Sequence, residues 1–197
     1  MHSRHTWKYK RVASHNNNER DHMEIIILGI ALFFGIHTLK PVFPMGRQSL
    51  INRFGNVPYK LGYTLVAASG MGLMVYGYIN APYVWLWSPL PGASIITPAL
   101  MLPAAFLLVG ADFPNSWGKA VKHPMMIGTV LWATAHLWSN GHLKAVLLFG
   151  SFGIYAIFML YKADWNIKTK PRPLFLNILW VVVSILAYSV IRYFHSL

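Results

Sequence analysis

The sequence predicts an all-α membrane protein, a polytopic bundle of about six transmembrane helices. Three observations predict it. Of the 197 residues, 55% are hydrophobic and only 11% are charged, whereas a soluble domain carries about a quarter charged residues. The apolar residues also come in long runs, close to the ~20 residues that cross a bilayer as a helix. Finally, Lys and Arg fall unevenly on alternate loops, the charge asymmetry that orients membrane helices.

The elements follow in order. Residues 1–22, "MHSRHTWKYKRVASHNNNERDH", are polar and basic with no apolar period. They read as a disordered or mis-assigned tail, and residues 23–197 as a single transmembrane domain. Met23 then opens "MEIIILGIALFFGIHTLKP". The run has no small-x-small cleavage site, so it reads as a retained helix. Six spans result, at about 24–40, 60–79, 95–111, 124–140, 143–161 and 174–194. In the second, Ala68, Gly72 and Tyr76 recur every four residues beside Gly70 and Gly77, which suits close helix packing. In the third, Pro98 and Pro103 each remove a helical hydrogen bond and allow a kink or a partly re-entrant path.

The loops sort by charge. Lys40, Arg47, Arg53, Lys60, Lys119, Lys122, Lys162, Lys168, Lys170 and Arg172 lie in loops one, three and five. The opposite side has Lys144 and Arg192. Loops one, three and five are therefore expected in the cytoplasm and both termini outside it. The formal net charge of +12 reads as topology and contact with membrane lipids, not with nucleic acid. Tyr83, Trp85 and Trp87, in an uncharged loop, read as an interfacial aromatic belt.

Few residues can carry chemistry. Cysteine is absent, which excludes disulfides, thiolate zinc sites, iron–sulfur clusters and cysteine nucleophiles. After Met23 only Glu24, Asp112 and Asp164 are acidic, all at helix ends or in loops. Paired carboxylates for acid–base work and acidic cages for magnesium or calcium are missing. No Gly-rich phosphate loop or serine nucleophile elbow is present. Histidine remains, and two histidines fall inside predicted spans: His37 in "LFFGIHTLKP" and His136 in "WATAHLWSNG". Thr129, Trp132, His136 and Asn140 share one helix face. A buried imidazole needs a partner, because an unpaired polar group in hydrocarbon costs a few kcal/mol. Each histidine either packs against a neighbouring carbonyl or hydroxyl, or binds a metal. Two neutral imidazoles suit haem iron better than zinc, which takes three or four protein ligands.

The segments "LGIALFFGIHTLKPVFPMGRQSLINRFGNVPYKLGYTLVAASGMGLMVYGY", "LMLPAAFLLVGA" and "KHPMMIGTVLWATAHLWSNGHLKAVLLFGSFGIYA" resemble the NnrU family of bacterial integral membrane proteins. The most specific part is H-P-x-x-x-G followed by W-A-x-A-H-L-x-x-N-G. The resemblance implies a bacterial inner-membrane protein linked to nitrite and nitric oxide reduction, with partner membrane proteins of nitrogen-oxide respiration. The family is also similar to the plant ζ-carotene isomerase, a haem-b membrane enzyme. Its two ligand segments match those around His37 and His136, with Ala133 here in place of a nearby cysteine. The resemblance thus implies a haem b held by His37 and His136. Trp132 and Asn140 lie beside that site, and Arg47 and Arg53 are candidates for haem propionates or lipid phosphates. "KHPMMIG" is also distantly similar to the R-H-P-x-Y-x-G signature of isoprenylcysteine-type methyltransferases, but Lys122 and Met126 depart from it.

Three functions fit this pattern: a haem protein with redox or carotenoid-isomerase-like chemistry, a non-enzymatic assembly, sensing or transport factor for nitric oxide reduction, and a structural bundle whose histidines only pack. Whether the chain is an enzyme is left open by the sequence.

Overall fold

The structure, a computed structural model, describes residues 4–116, 120–166 and 170–196, with side chains from residue 21 onward except 194 and 196. Lys119 and Lys168, used above to orient the loops, lie outside the described residues. Every regular element among the described residues is helical. The helices are α1 (Arg4–Val42), α2 (Pro44–Phe54), α3 (Asn56–Asn80), α4 (Ala93–Asp112), α5 (Pro124–Ser139), α6 (Leu143–Tyr161) and α7 (Leu174–Ser196).

Four stretches are long and apolar enough to cross a membrane: Asp21–Val42 of α1, α4, α6 and Leu174–Tyr193 of α7. The other two expected spans are helices but do not join this set. α5 has 16 residues, or roughly 24 Å at 1.5 Å per residue, short of a ~30 Å hydrocarbon layer. α3 is long enough, but its glycines and tyrosines, with Thr64 and Ser69, dilute its apolar stretch. α1 also runs back through the segment set apart as a tail, with its membrane-length part starting at Asp21. α2 forms within the first basic loop, started by Pro44 at its first turn, where a missing N–H costs nothing. α4 runs unbroken through Pro98 and Pro103, so no re-entrant path forms there.

The chain divides into two compact units, residues 1–85 with 142–148, and residues 86–141 with 149–197. In the first, α1 packs on α3 through glycine. A Cβ on Gly70 would sit 2.7 Å from the Phe33 nitrogen and 2.9 Å from the Gly29 carbonyl oxygen, and one on Gly29 would sit 2.7 Å from the Gly70 carbonyl oxygen. Ile26 and Met74 are fully buried in this seam. The packing face is therefore Gly70, Met74 and Gly77, not the expected stripe of Ala68, Gly72 and Tyr76, which is exposed. Spacing alone shows that small residues share a face. Which of two neighbouring stripes meets the partner depends on where the glycines of α1 fall.

In the second unit, α4 packs against α5 and α7. A Cβ on Gly128 would meet Leu108, Leu107 and Ala104 at 3.0–3.2 Å. Trp180 donates its indole N–H to the Phe106 carbonyl at 3.1 Å. Buried Asn115 caps the end of α4 by donating to the Gly110 carbonyl at 2.9 Å, and Asn177 Oδ1 accepts from the Ser116 N–H at 2.9 Å. Each bond satisfies a polar group that lipid could not.

Two glycines of α3 should respond oppositely to alanine. Gly70→Ala forces a methyl against backbone and should destabilise by about 1–3 kcal/mol. Gly72, whose added Cβ meets nothing within 4 Å, should gain up to ~1 kcal/mol from helix propensity when replaced by Ala. Thermal unfolding in detergent reads both, and equal effects would contradict the packing face.

Candidate functional site

His136 lies in the last turn of α5. A carbonyl can only accept, so the 2.8 Å contact to the Trp132 carbonyl makes Nδ1 the protonated nitrogen. The lone pair then sits on Nε2, and no hydrogen bond engages that atom among the described residues. The ring stacks on Phe149 at 4.2 Å and 20°. Trp132 meets Phe149 edge-on at 4.9 Å and Phe152 at 5.6 Å. Phe149 is placed by a π-helical segment, Val146–Gly150, inside α6. Such wide turns advance side chains out of the α register and recur at functional sites.

The end of α5 is stitched to the loop before α4. Asn140 caps the helix, its backbone and side-chain N–H groups reaching the His136 carbonyl at 2.8 and 3.0 Å. The Gly141 carbonyl accepts from Leu86 and Trp87 at 2.8 and 3.1 Å, and the Trp138 carbonyl from Leu90 at 2.9 Å. Trp87 and Trp138 donate their indole N–H groups to the carbonyls of Leu137 and Pro91. The loop passes so close that a Cβ on Gly141 would stand 2.0 Å from the Trp87 carbonyl oxygen. Trp87 of the expected aromatic belt is thus a strut of this end. Thr129 bonds the Met125 carbonyl, so the His136 ring is oriented by Trp132 alone of its helix-face neighbours.

His136 opens on a cavity of about 280 Å³ within the second unit. Its walls are largely apolar, with Pro98, Met101 and Ala105 of α4 and Tyr188 and Ile191 of α7. The polar lining is Thr97, Ser139, Asn140, Arg192 and His195. The Thr97 and Ser139 hydroxyls bond each other, tying α4 to the end of α5.

The other candidates lie in the first unit. His37 also bonds a carbonyl one turn back, Nδ1 to Phe33 at 2.6 Å. Its ring stacks on Phe33 at 4.2 Å and lies 5.3 Å from that of Tyr63. Arg47 sits over the Tyr59 ring at 5.5 Å and Arg53 over Phe54 at 5.3 Å. The structure thus places His37, Arg47 and Arg53 in one unit and Trp132, His136 and Asn140 in the other.

Two features escaped the sequence. At the start of α5, Lys122 and His123 both have left-handed backbone, φ 53° and 32°. Such a conformation is costly without glycine. It is held by His123 Nε2 against the Asp164 carbonyl at 2.8 Å and by Lys122 Nζ donating to the Trp165 carbonyl. In the first unit, Lys144 is only 2% exposed. Its ammonium donates to the Ala81 carbonyl at 2.9 Å and lies 3.6 Å from the Tyr83 ring centre and 5.3 Å from that of Tyr78. Buried His142 borders the same cage, facing Tyr83 at 5.0 Å and Trp85 at 5.5 Å. A lone lysine after an apolar span reads as a loop charge, and nothing in its neighbours announces a cage.

Residues 25–197 match a family described as NnrU protein. The chain belongs to the NnrU family. Among curated proteins and among solved structures, nothing matches it. The NnrU match takes in every candidate residue above and all of α2–α7. Four apolar helices of spanning length agree with a membrane protein. No group of three or more His, Cys, Asp or Glu able to hold a metal occurs among the described residues of this NnrU chain.

His142 gives a pH test. Its Nδ1 accepts from the Ala145 N–H at 3.1 Å, capping α6, and that bond needs the neutral ring. Burial, and then the Lys144 charge, push its pKa below the ordinary histidine value. The unfolded chain therefore takes up this proton more readily than the folded one. The midpoint of thermal unfolding should hold level above about pH 6.5 and fall below it. His142→Asn, which keeps a cap acceptor but does not titrate, should flatten that fall; an unchanged pH profile would remove His142 as its source.

Proposed function

We propose that this NnrU protein is a haem-b-binding protein of the bacterial inner membrane, working in nitrite and nitric oxide metabolism with redox or isomerase-like chemistry. The observation that carries the proposal is His136: an imidazole fixed in one tautomer by a main-chain carbonyl, with Nε2 open, on the wall of an apolar cavity. That second hydrogen bond raises the basicity of a metal-binding ring and fixes its angle. The residues also suit the group by number. Zinc, calcium or magnesium would need three or more protein ligands, and no such cluster occurs among the described residues. A haem brings four ring nitrogens of its own and asks the protein only for axial ligands.

When bound, haem would supply an iron able to exchange an electron or to take a small ligand. The protein's part is to hold and shield. Trp132 and Phe149 wall one side of His136, and the apolar cavity lining lowers the local dielectric. By family resemblance His37 would be the second residue to hold the group, and Arg47 and Arg53, by their charge in the first basic loop, would bind its acidic groups or lipid phosphates. Membrane lipids and partner proteins of nitrogen-oxide respiration are the expected neighbours. The asymmetry of loop charge supports a topology with both termini outside the cytoplasm.

Protein purified in detergent from haem-sufficient cells should show a Soret band, and His136→Ala should lose it while still inserting. A colourless wild-type protein would sink the proposal. A reporter fused after Leu197 should be active only on the non-cytoplasmic side, and cytoplasmic activity would reverse the topology.

A further inference from the structure

α2 does not close on the helices beside it. It begins at Pro44, just past Val42, where the spanning stretch of α1 ends, and none of its residues is buried. Beside it, within the first unit, lies an apolar groove of about 350 Å³. The groove is walled by Ile36 and Leu39 of α1, Leu50 and Phe54 of α2, and Tyr59 and Gly62 of α3. Leu50 and Phe54 line it and still remain 39% and 57% exposed. Large apolar side chains left open beside a groove are unfavourable in water and are satisfied by a hydrocarbon chain lying in it.

Cations border this groove. Arg47 sits over the Tyr59 ring at 5.5 Å and Arg53 over the Phe54 ring at 5.3 Å, so each guanidinium rests on an aromatic residue of the groove wall. The chain has no acidic residue between Glu24 and Asp112, so nothing in this stretch neutralises them. The depth agrees as well. Ile36 precedes Val42 by six residues, or roughly 9 Å at 1.5 Å per residue, so the groove leads from the end of the span towards hydrocarbon.

An apolar slot bordered by two guanidinium groups fits an amphiphile with one anionic end, and a membrane supplies such molecules directly. The tail gives little selectivity, because lipid tails are as apolar as the side chains that hold them. The head decides. A guanidinium offers paired N–H donors to phosphate oxygens, whereas a zwitterionic head brings an ammonium that the arginines repel.

We propose that this groove binds one anionic phospholipid, its phosphate held by Arg47 and Arg53 and an acyl chain lying against Gly62. Lipid phosphate is thereby the partner of these two arginines. The site stands with or without haem, and His37 and His136 keep their part in holding that group.

Gly62 offers a way to fill the groove. A Cβ added there meets nothing within 4 Å, so Gly62→Leu occupies the space without straining the helix. Full-length protein in detergent, stripped of loosely held lipid, is titrated with phosphatidylglycerol, phosphatidylethanolamine or inorganic phosphate, and native mass spectrometry reads binding. Wild type should bind one phosphatidylglycerol about tenfold more tightly than phosphatidylethanolamine, and inorganic phosphate should not displace it. Gly62→Leu should bind phosphatidylglycerol severalfold more weakly, at unchanged helix content and haem per chain. The double variant Arg47→Gln, Arg53→Gln should bind the two lipids alike. Its positions are not buried, so it decides the matter even if the filled groove misfolds. If Gly62→Leu binds like wild type, if the double variant keeps the preference, or if inorganic phosphate displaces the lipid, the lipid site is overturned. It is overturned too if the double variant loses haem and keeps its lipid, because the arginines then serve the haem. A colourless wild type that still selects phosphatidylglycerol sinks the haem reading alone.

Discussion

The backbone hydrogen bonds that close the end of α5 are the constraint on which the candidate site depends. A helix end leaves carbonyls without partners, and near a lipid phase water cannot be relied on to fill them. Here Asn140 turns back on the His136 carbonyl, and the segment from Leu86 to Pro91 supplies donors to Gly141, Trp138 and Leu137. These bonds fix the height and rotation of the last turn, and with it the His136 ring. They also explain the run "WSNG" residue by residue: a tryptophan whose indole reaches Pro91, a serine bonded to Thr97, an asparagine cap, and a glycine where a side chain has no room.

Much of the architecture was legible because bilayer thickness imposes a length on apolar runs. The helices at 93–112, 124–139, 143–161 and 174–196 fall within a few residues of the expected spans. Less was legible where identity depends on a distant neighbour. Gly70, Met74 and Gly77 face α1 because Gly29 and Ile26 lie opposite, which periodicity in α3 alone cannot show. The helix Pro44–Phe54 was hidden by its basic residues, which marked a loop. The π-helical turn that sets Phe149 on His136 has no signature in "VLLFG".

The site residues divide in the same way. His136 stood out because a polar ring inside an apolar run needs an explanation. His195 did not, because it sits at the polar end of α7, where a histidine is ordinary. Its place on the wall of the same cavity comes from the meeting of two helix ends, a property of the fold and not of either segment. The scarcity of acidic side chains and the absence of cysteine leave imidazole and guanidinium groups among the few candidates for chemistry.

The Lys144 cage bears on how the chain is assembled. Its ammonium is balanced by a carbonyl and two ring faces, with no carboxylate among the described residues. Until those groups are in place, burying this lysine would strand a charge. Ala81, Tyr78 and Tyr83 all precede it in the chain, so during synthesis the receptor exists before the charge emerges. In the folded chain the cage ties the end of α3 to the start of α6 within the first unit.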